Sequence, residues 1–261
     1  MTKCKLYNIV VFLLTFSLGK ISFSQNFIIN YDITYNNFSQ VEKKGVLMIE
    51  DNKKSLFIES SLIDSSKFQD DVVFFSKSTR SYEIDYLACS LVSHEEVFML
   101  DSLFEIREEI PTINYDIEKD RKVISGFNCQ KFRAKFRGRE YVFWISLDFP
   151  ISIGPWKFVN TPGLIVQAYD LENKTVWSLN SITTKVLNEG LQLIDNRIAD
   201  RSITLKDFVL IKDDLSENQV KKHASYLKSR LPRNTSMTAT YYPGRKGKEL
   251  IYEWETTDEK K

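Results

Sequence analysis

The chain has 261 residues, of which 43% are hydrophobic, 27% charged and 13% aromatic, with a formal net charge of +1. It is long enough to bury a large core, and its charge is too balanced to supply the basic field that grips nucleic acid. Three cysteines provide neither a disulfide framework nor a zinc-ligand pattern in place of a core.

The first residues read as an address rather than as fold. Lys3 and Lys5 precede an apolar run, Leu6 to Leu18, broken only by Asn8, Thr15 and Ser17. Ser22 and Ser24 lie three and one residues before a cut ahead of Gln25. This pattern predicts a secretory signal peptide over residues 1–24, because the apolar run is shorter than the ~20 residues a membrane span needs. Removing Lys3, Lys5 and Lys20 leaves a mature segment, 25–261, with a net charge of −2. No second run approaches spanning length, and no repeat or Pro/Gly/Ser-rich linker divides the chain. A single exported domain, periplasmic or extracellular, is expected, with no transmembrane span and no nucleic-acid partner.

Period-2 alternation dominates the mature segment. Phe27, Ile29, Tyr31, Ile33 and Tyr35 share one face of an opening strand. Val46–Ile49 and Leu56–Ile58 flank a hairpin turn at Asp51–Lys54. Tyr82, Ile84, Tyr86 and Ala88 alternate again. Phe132, Ala134 and Phe136, then Tyr141, Phe143 and Ile145, predict a hairpin with Gly138 at its turn. Further strands are expected at Gly163–Asp170, Thr175–Thr183, Met237–Tyr242 and Leu250–Glu255. Ser216 and Gln219 match a capping box, and Val220, Ala224, Leu227 and Leu231 form a stripe ended by Pro232, which predicts a helix over about 217–231. A shorter helical turn is expected around Leu205–Leu210. The expected fold is mainly β: one large antiparallel, strongly curved sheet or open barrel with one late α-helix.

The run Pro150–Val166 carries two Gly/Pro bends, Gly154-Pro155 and Pro162-Gly163, inside apolar and aromatic sequence. Thr161-Pro162-Gly163 reads as a type II turn with Gly163 at positive φ, followed by a buried strand through Leu164 and Ile165. Trp156 and Phe158 supply large apolar surfaces, so the run reads as a folding knot rather than a ligand loop.

This run resembles the GLPGLI family, exported proteins of Bacteroidota. The resemblance extends upstream through Lys122–Lys131, with Gly126 and Cys129, through Gly138–Tyr141 and Trp144, and through Pro150–Phe158, with Gly154 and Pro155. Pro111–Tyr115 extends it more weakly, so that it spans roughly residues 111–170. Where the family name reads Gly-Leu-Pro-Gly-Leu-Ile, this chain has Asn160-Thr161-Pro162-Gly163-Leu164-Ile165. Asparagine is the residue that best replaces glycine at positive φ, so Asn160 meets a backbone demand. Thr161 in place of leucine brings a hydroxyl that needs a partner. The resemblance implies export and a β-rich fold, and carries no catalytic residue across.

The residues that could do chemistry are few. The mature chain has two histidines, His94 and His223, and neither sits in a metal-binding or nucleophile motif. Asp70-Asp71, Glu108-Glu109 and Asp213-Asp214 are adjacent in sequence, which suits a solvated surface better than acid/base pairing. No cofactor is expected. Lys131, Arg133, Lys135 and Arg137 share one strand parity. They read either as the solvent face of an amphipathic strand or as a docking face for an anionic partner. Cys129 shares that outward parity. Cys89 and Cys129 stand either as a disulfide in an oxidising compartment or as two separate thiols. Three functions remain open. The first is a non-enzymatic carrier holding an apolar ligand, lipid or outer-membrane protein on a curved sheet. The second is an interaction module without a ligand pocket, and the third a hydrolase with an unrecognised site.

Overall fold

The computed structural model describes residues 26–36, 39–60, 79–184, 197–229, 245 and 247–256. Among these residues twelve strands form one sheet: β1 (Phe27–Asn36), β2 (Gln40–Glu50), β3 (Lys54–Ser60), β4 (Arg80–Asp85), β5 (Ser90–Val97), β6 (Ser102–Glu109), β7 (Asp116–Ile124), β8 (Phe127–Phe136), β9 (Arg139–Ser146), β10 (Leu164–Asp170), β11 (Thr175–Thr184) and β12 (Arg201–Thr204). Their order is β12-β6-β5-β4-β3-β2-β1-β11-β10-β9-β8-β7. Every pairing is antiparallel except the edge strand β12, which runs parallel to β6, so the sheet is mixed rather than wholly antiparallel.

Alternation in sequence becomes rows across the sheet, because residues opposite one another on paired strands share a face. One inner row runs Phe132, Phe143, Ala168, Trp177, Ile33 and Lys43. A second runs Leu179, Tyr31, Gly45, Glu59 and Arg80. The apolar members of both rows are buried and belong to the main core. Two-residue turns with positive φ at both positions, Ser125-Gly126 and Arg137-Gly138, close the β7–β8 and β8–β9 hairpins. This geometry matches the right-handed twist of the strands.

The sheet is strongly curved. β6 and β8 are nine positions apart, which in a flat sheet would be about 40 Å at the usual strand spacing. Yet Arg137, which follows β8, places Nη2 2.6 Å from a Glu108 carboxylate oxygen near the end of β6. Inside the curve, the Tyr31 hydroxyl donates to the Ile165 carbonyl at 2.9 Å. Among the described residues the strand order remains linear, and the ladder does not close.

The late helix α1 spans Leu205–Ser229, starting well ahead of the expected 217–231. Its cap is Thr204, whose hydroxyl accepts the Asp207 amide at 3.2 Å and donates to the Asp207 carboxylate at 2.7 Å. That reciprocal cap outranks Ser216 and Gln219, which lie inside the helix. Leu205, Phe208 and Val209 dock on Phe104 and Ile106 of β6, and Phe104 and Phe208 meet ring to ring at 5.5 Å. The expected strand Leu250–Glu255 is a set of turns instead. Tyr252 and Trp254 stack at 4.7 Å there, which consumes the surface that suggested a strand. The expected strand Met237–Tyr242, the signal segment 1–24 and the side chains of Val220, His223, Ala224 and Leu227 lie outside the described residues.

Candidate functional site

The connection from β9 to β10 builds one wall of the interior. An isolated bridge, Ile153 to Val159, pinches it, and the Gly154 amide donates to the Phe158 carbonyl at 2.7 Å. Gly154 keeps a negative-φ backbone, and a Cβ there would run into the Ile165 side chain and lie 3.2 Å from Phe158. The bend is therefore glycine for lack of space. Pro155 then leads into Trp156, which takes φ 59° and is fully buried. Across the curve, Asn52 in the β2–β3 turn donates to the Pro150 carbonyl at 2.7 Å and accepts the Ser152 amide at 3.3 Å.

The name-motif segment departs from its expected turn. Gly163 does not take positive φ, so Thr161-Pro162-Gly163 is not a type II turn with a left-handed glycine. The demand at Gly163 is closeness: a Cβ would lie well under 3.0 Å from the Ser146 carbonyl oxygen and 3.1 Å from Ile145. Positive φ falls on Asn160 instead, at 55°. The Asn160 amide donates to the Tyr86 hydroxyl at 3.2 Å. The Thr161 hydroxyl finds its partner, the Ile151 carbonyl at 3.1 Å. Leu164 and Ile165 continue as buried strand, as expected.

Trp156 stacks on Trp177 of β11 at 5.9 Å, and Phe158 meets both edge-on at 5.2 Å. Beside these rings sits the ammonium of Lys248, carried by the irregular segment 247–256. It lies 5.1 Å from the ring centre of Trp156, 5.8 Å from Trp177, 5.4 Å from Tyr82 and 5.7 Å from Tyr35. It also contacts the Tyr35 hydroxyl at 3.3 Å and a Glu59 oxygen at 3.1 Å. Four aromatic rings and one carboxylate thus surround one cation, an arrangement in which ring quadrupoles and the ion attract each other.

Glu59 is fully buried and is held by Lys43 at 3.2 Å, Lys248 at 3.1 Å and Arg80 at 3.7 Å. Burial alone would raise its pKa, but Lys248, Arg80 and Lys43 outweigh burial and hold the carboxyl far below its ordinary range. Burial pushes the Lys248 ammonium below its ordinary value, with Glu59 pulling the other way. Glu95 continues the network: Arg80 approaches it at 3.6 Å and Lys212 of α1 at 3.1 Å. Burial opposes these two cations, and they bring its carboxyl down to about 2.

A second ion cluster adjoins the first through the next residue. Glu249 pairs with Arg137 and with Lys157, whose ammonium lies 3.1 Å away. Glu108 pairs with both Lys157 and Arg137, and Glu253 accepts from Arg137 at 2.9 Å. This cluster ties β6, the β8–β9 turn, the β9–β10 connection and the terminal segment together. It is the ionic seam of the curved sheet.

The residues of the expected cationic stripe divide among these contacts. Arg137 is not on the stripe, because β8 ends at Phe136 and the turn carries Arg137 into the buried seam. Lys131 is paired with Glu118 at 2.8 Å and Asp120 at 2.9 Å. Arg133 bridges Glu118 and Glu140. Lys135 is exposed. Most of the stripe's charge is thus met by carboxylates of the chain itself. Both described cysteines are free thiols, not a disulfide. Cys89 is exposed in the β4–β5 turn, while Cys129 sits on β8, seven sheet positions from β4. Cys129 keeps the outward parity but is buried, flanked by its cross-strand neighbours Lys122 and Ser146. Lys122 lies 4.0 Å over the adjacent Trp144 ring, so the outer face is covered there.

One grouping bears on hydrolysis. The Ser81 hydroxyl and His94 Nδ1 are 3.3 Å apart, and His94 Nε2 is 3.8 Å from Glu105. Ser81 is fully buried in mid-strand, where its neighbours' amides serve the ladder. A nucleophile there has no access to substrate and no free amides for an oxyanion.

The class these features define is an unclosed, strongly curved β-sheet with a helix docked on the inner face of one end. No protein-family model matches the chain, and no curated protein matches it significantly. Among solved structures it is similar to two of PNGF-II, at 12% and 14% identity, with TM-scores of 0.47 and 0.48 over 69% and 72% of this chain. The match spans about a third of the PNGF-II chain, 31% and 33%. It is also similar to a LolA superfamily protein from Nitrosomonas europaea, at 10% identity and TM-score 0.30, over 63% of this chain and 88% of that one. A putative outer membrane lipoprotein-sorting protein domain from Vibrio parahaemolyticus matches at 6% identity and TM-score 0.32, over 69% of this chain and 94% of that one.

Proposed function

We propose that this is an exported cell-envelope protein of GLPGLI type, without catalytic machinery, that uses the inner face of its curved sheet to hold an apolar ligand or an envelope partner. One observation carries this reading. The seam of Arg137, Lys157, Glu108 and Glu249 draws distant strands together around an interior lined by aromatic rings. A curved face that joins apolar rings with a few placed charges is the composition that small-molecule sites use. Export rests on residues 1–24, and the family on the resemblance over roughly residues 111–170, where Asn160 takes the backbone conformation expected of a glycine position.

The interaction-module reading has an observation of its own. Trp156, Phe158 and Trp177 are fully buried by the chain's own β9–β10 connection, so that part of the interior is already filled. Native mass spectrometry of protein purified from its own host separates the two. A co-purifying lipid or other apolar adduct supports the carrier. A bare chain mass, together with no uptake of a fluorescent fatty acid, overturns it in favour of the interaction module.

A further inference from the structure

Lys157 is an amine enclosed by two carboxyl groups, in a chain whose two described cysteines form no covalent link. It follows Trp156 in the β9–β10 connection, which the Ile153–Val159 bridge and the Gly154–Phe158 hydrogen bond hold in place. Glu108 stands near the end of β6. Glu249 belongs to the terminal segment, where the Leu250 and Ile251 amides donate to the Arg137 carbonyl at 2.8 and 3.2 Å and Tyr252 packs with the residues that join α1 to β6. All three side chains start from anchored backbone, so their groups meet at the effective concentrations of an intramolecular reaction. The Lys157 and Glu108 side chains are 3% and 5% exposed. Bulk water, the agent that reverses an amide condensation, is thereby kept away.

The two carboxyl groups are not equivalent. Glu108 offers one oxygen to Lys157 and the other to Arg137, whose Nη2 lies 2.6 Å away. An amine on one side of a carboxyl and a guanidinium on the other are what acyl transfer needs: a nucleophile, and a cation where negative charge develops on attack. Glu249 presents both its oxygens to the Lys157 ammonium, at 3.1 and 3.4 Å, and so stands as the acceptor of its proton. Burial opposes the charge on both Lys157 and Glu249, while their pairing keeps them ionised at rest. A proton passed from one to the other leaves two neutral groups, the form that burial favours.

We propose that Lys157 and Glu108 condense to an isopeptide bond, with Glu249 as the acid–base group, so that the ionic seam of the curved sheet matures into a covalent one. Glu249 takes a proton from the ammonium and delivers it to the Glu108 oxygen beside Lys157. The freed amine attacks Glu108 Cδ, a C–N bond forms, and negative charge gathers on the oxygen facing Arg137. Glu249 then carries a second proton from the nitrogen to the departing oxygen, and the C–O bond breaks. The products are one amide and one water. One positive and one negative charge disappear together, and no oxidant or reductant takes part. Arg137 remains paired with Glu249 and Glu253. The bond joins β6 to the β9–β10 connection across the curve. It goes beyond the carrier reading and is decided separately, because a ligand shows as added mass in the native protein and the bond as lost mass in the denatured chain.

The test is the denatured intact mass of the purified mature chain, followed by tryptic mapping. The wild type should be lighter than its sequence by one water, and Lys157→Met should have its full sequence mass. Trypsin should yield peptide 108–119 joined to peptide 140–174, with the chain uncut after Lys157. Followed from fresh induction, Glu249→Gln should lose the water about 100-fold or more slowly than the wild type, the usual worth of a general base. A wild type at full sequence mass, with 140–157 recovered as a linear peptide, would overturn the proposal. So would a water lost from Lys157→Met as well, which places the loss elsewhere, or an unchanged rate in Glu249→Gln, which removes the acid–base step. Where either variant does not fold, the wild-type peptide map decides alone: the joined peptide establishes the bond and the linear one rejects it.

Discussion

Gly163→Ala tests whether the name motif is a close-packing device. The backbone there tolerates a side chain, because Gly163 does not take positive φ. The space does not. The new Cβ would press on the Ser146 carbonyl oxygen and lie 3.1 Å from both the Ser146 carbonyl carbon and Ile145. The obstacle is backbone of the neighbouring strand, paired at Leu164 with Ser146, so relief requires β9 and β10 to part at that point. Overpacking costs about 1–3 kcal/mol and a weakened ladder hydrogen bond about 1 kcal/mol, which together give about 3 kcal/mol. For a domain of this size that lowers Tm by about 6–12 °C. Urea denaturation monitored by circular dichroism should show a lower midpoint with an unchanged slope. Gly247→Ala is the control, since its Cβ would meet nothing nearer than 4.0 Å. Gly163→Asn separates the two possible causes. If the site needed positive φ, asparagine would be milder than alanine. If it needs space, asparagine is at least as costly. A Gly163→Ala variant within about 0.5 kcal/mol of wild type, the scatter of an ordinary surface substitution, would refute the reasoning.

The same structure fixes four further outcomes. Asn160→Gly should be nearly neutral and Asn160→Ala should lose about 1 kcal/mol in the same urea assay, because φ at Asn160 is 55°. Arg137→Met should cost about 3–5 kcal/mol, since it leaves the buried carboxylates of Glu108 and Glu249 short of a partner; a loss under about 1 kcal/mol, the range of a surface pair, would show that the seam is dispensable. Acid should unfold the protein through its inner carboxylates. Glu59 and Glu95 both have folded pKa values below their unfolded ones, so their contribution is complete above the unfolded pKa near 4.5 and is lost as pH falls through the folded values, about 2 for Glu95. Thermal midpoints should therefore drop steeply between pH 4.5 and 2, and Glu95→Gln should flatten that slope. Iodoacetamide on the native protein should alkylate exposed Cys89 and spare buried Cys129 until denaturant is added; an unreduced mass two hydrogens short would contradict two free thiols.

Much of the β architecture is legible from alternation alone. Phe27 to Tyr35, Phe132 to Phe136 and Tyr141 to Ile145 declare which side chains face inward, because the strand period is two whatever the partner strand. Asn52 and Gly138 declare their turns through the positive-φ conformations that such residues accept most readily. Thr204 does not stand out as a cap, because Ser216 and Gln219 offer the same local pattern. The fit of Leu205, Phe208 and Val209 onto β6 decides between them, and no local rule contains it. The proline before Gly163 suggests a glycine needed for its φ, whereas the actual requirement comes from a carbonyl on β9, outside its own segment.

The surroundings of Lys248 show the same division. Glu59 stands at an inward parity position beside Phe57, and Lys43 at one beside Gly45, and charges in such places are a signal available in the sequence. Their meaning is not. Tyr35, Tyr82, Trp156, Trp177 and Lys248 come from five separate stretches of chain, and nothing local links residue 35 to residue 248. By itself, the sequence determined most of the strands, the hairpin turns and the inward faces, because those depend on neighbours a few residues away. Only the tertiary structure decided how far the sheet curls, which charges meet across it, and that a lysine from the last stretch of chain comes to rest among four aromatic rings, because those depend on contacts closed over hundreds of residues.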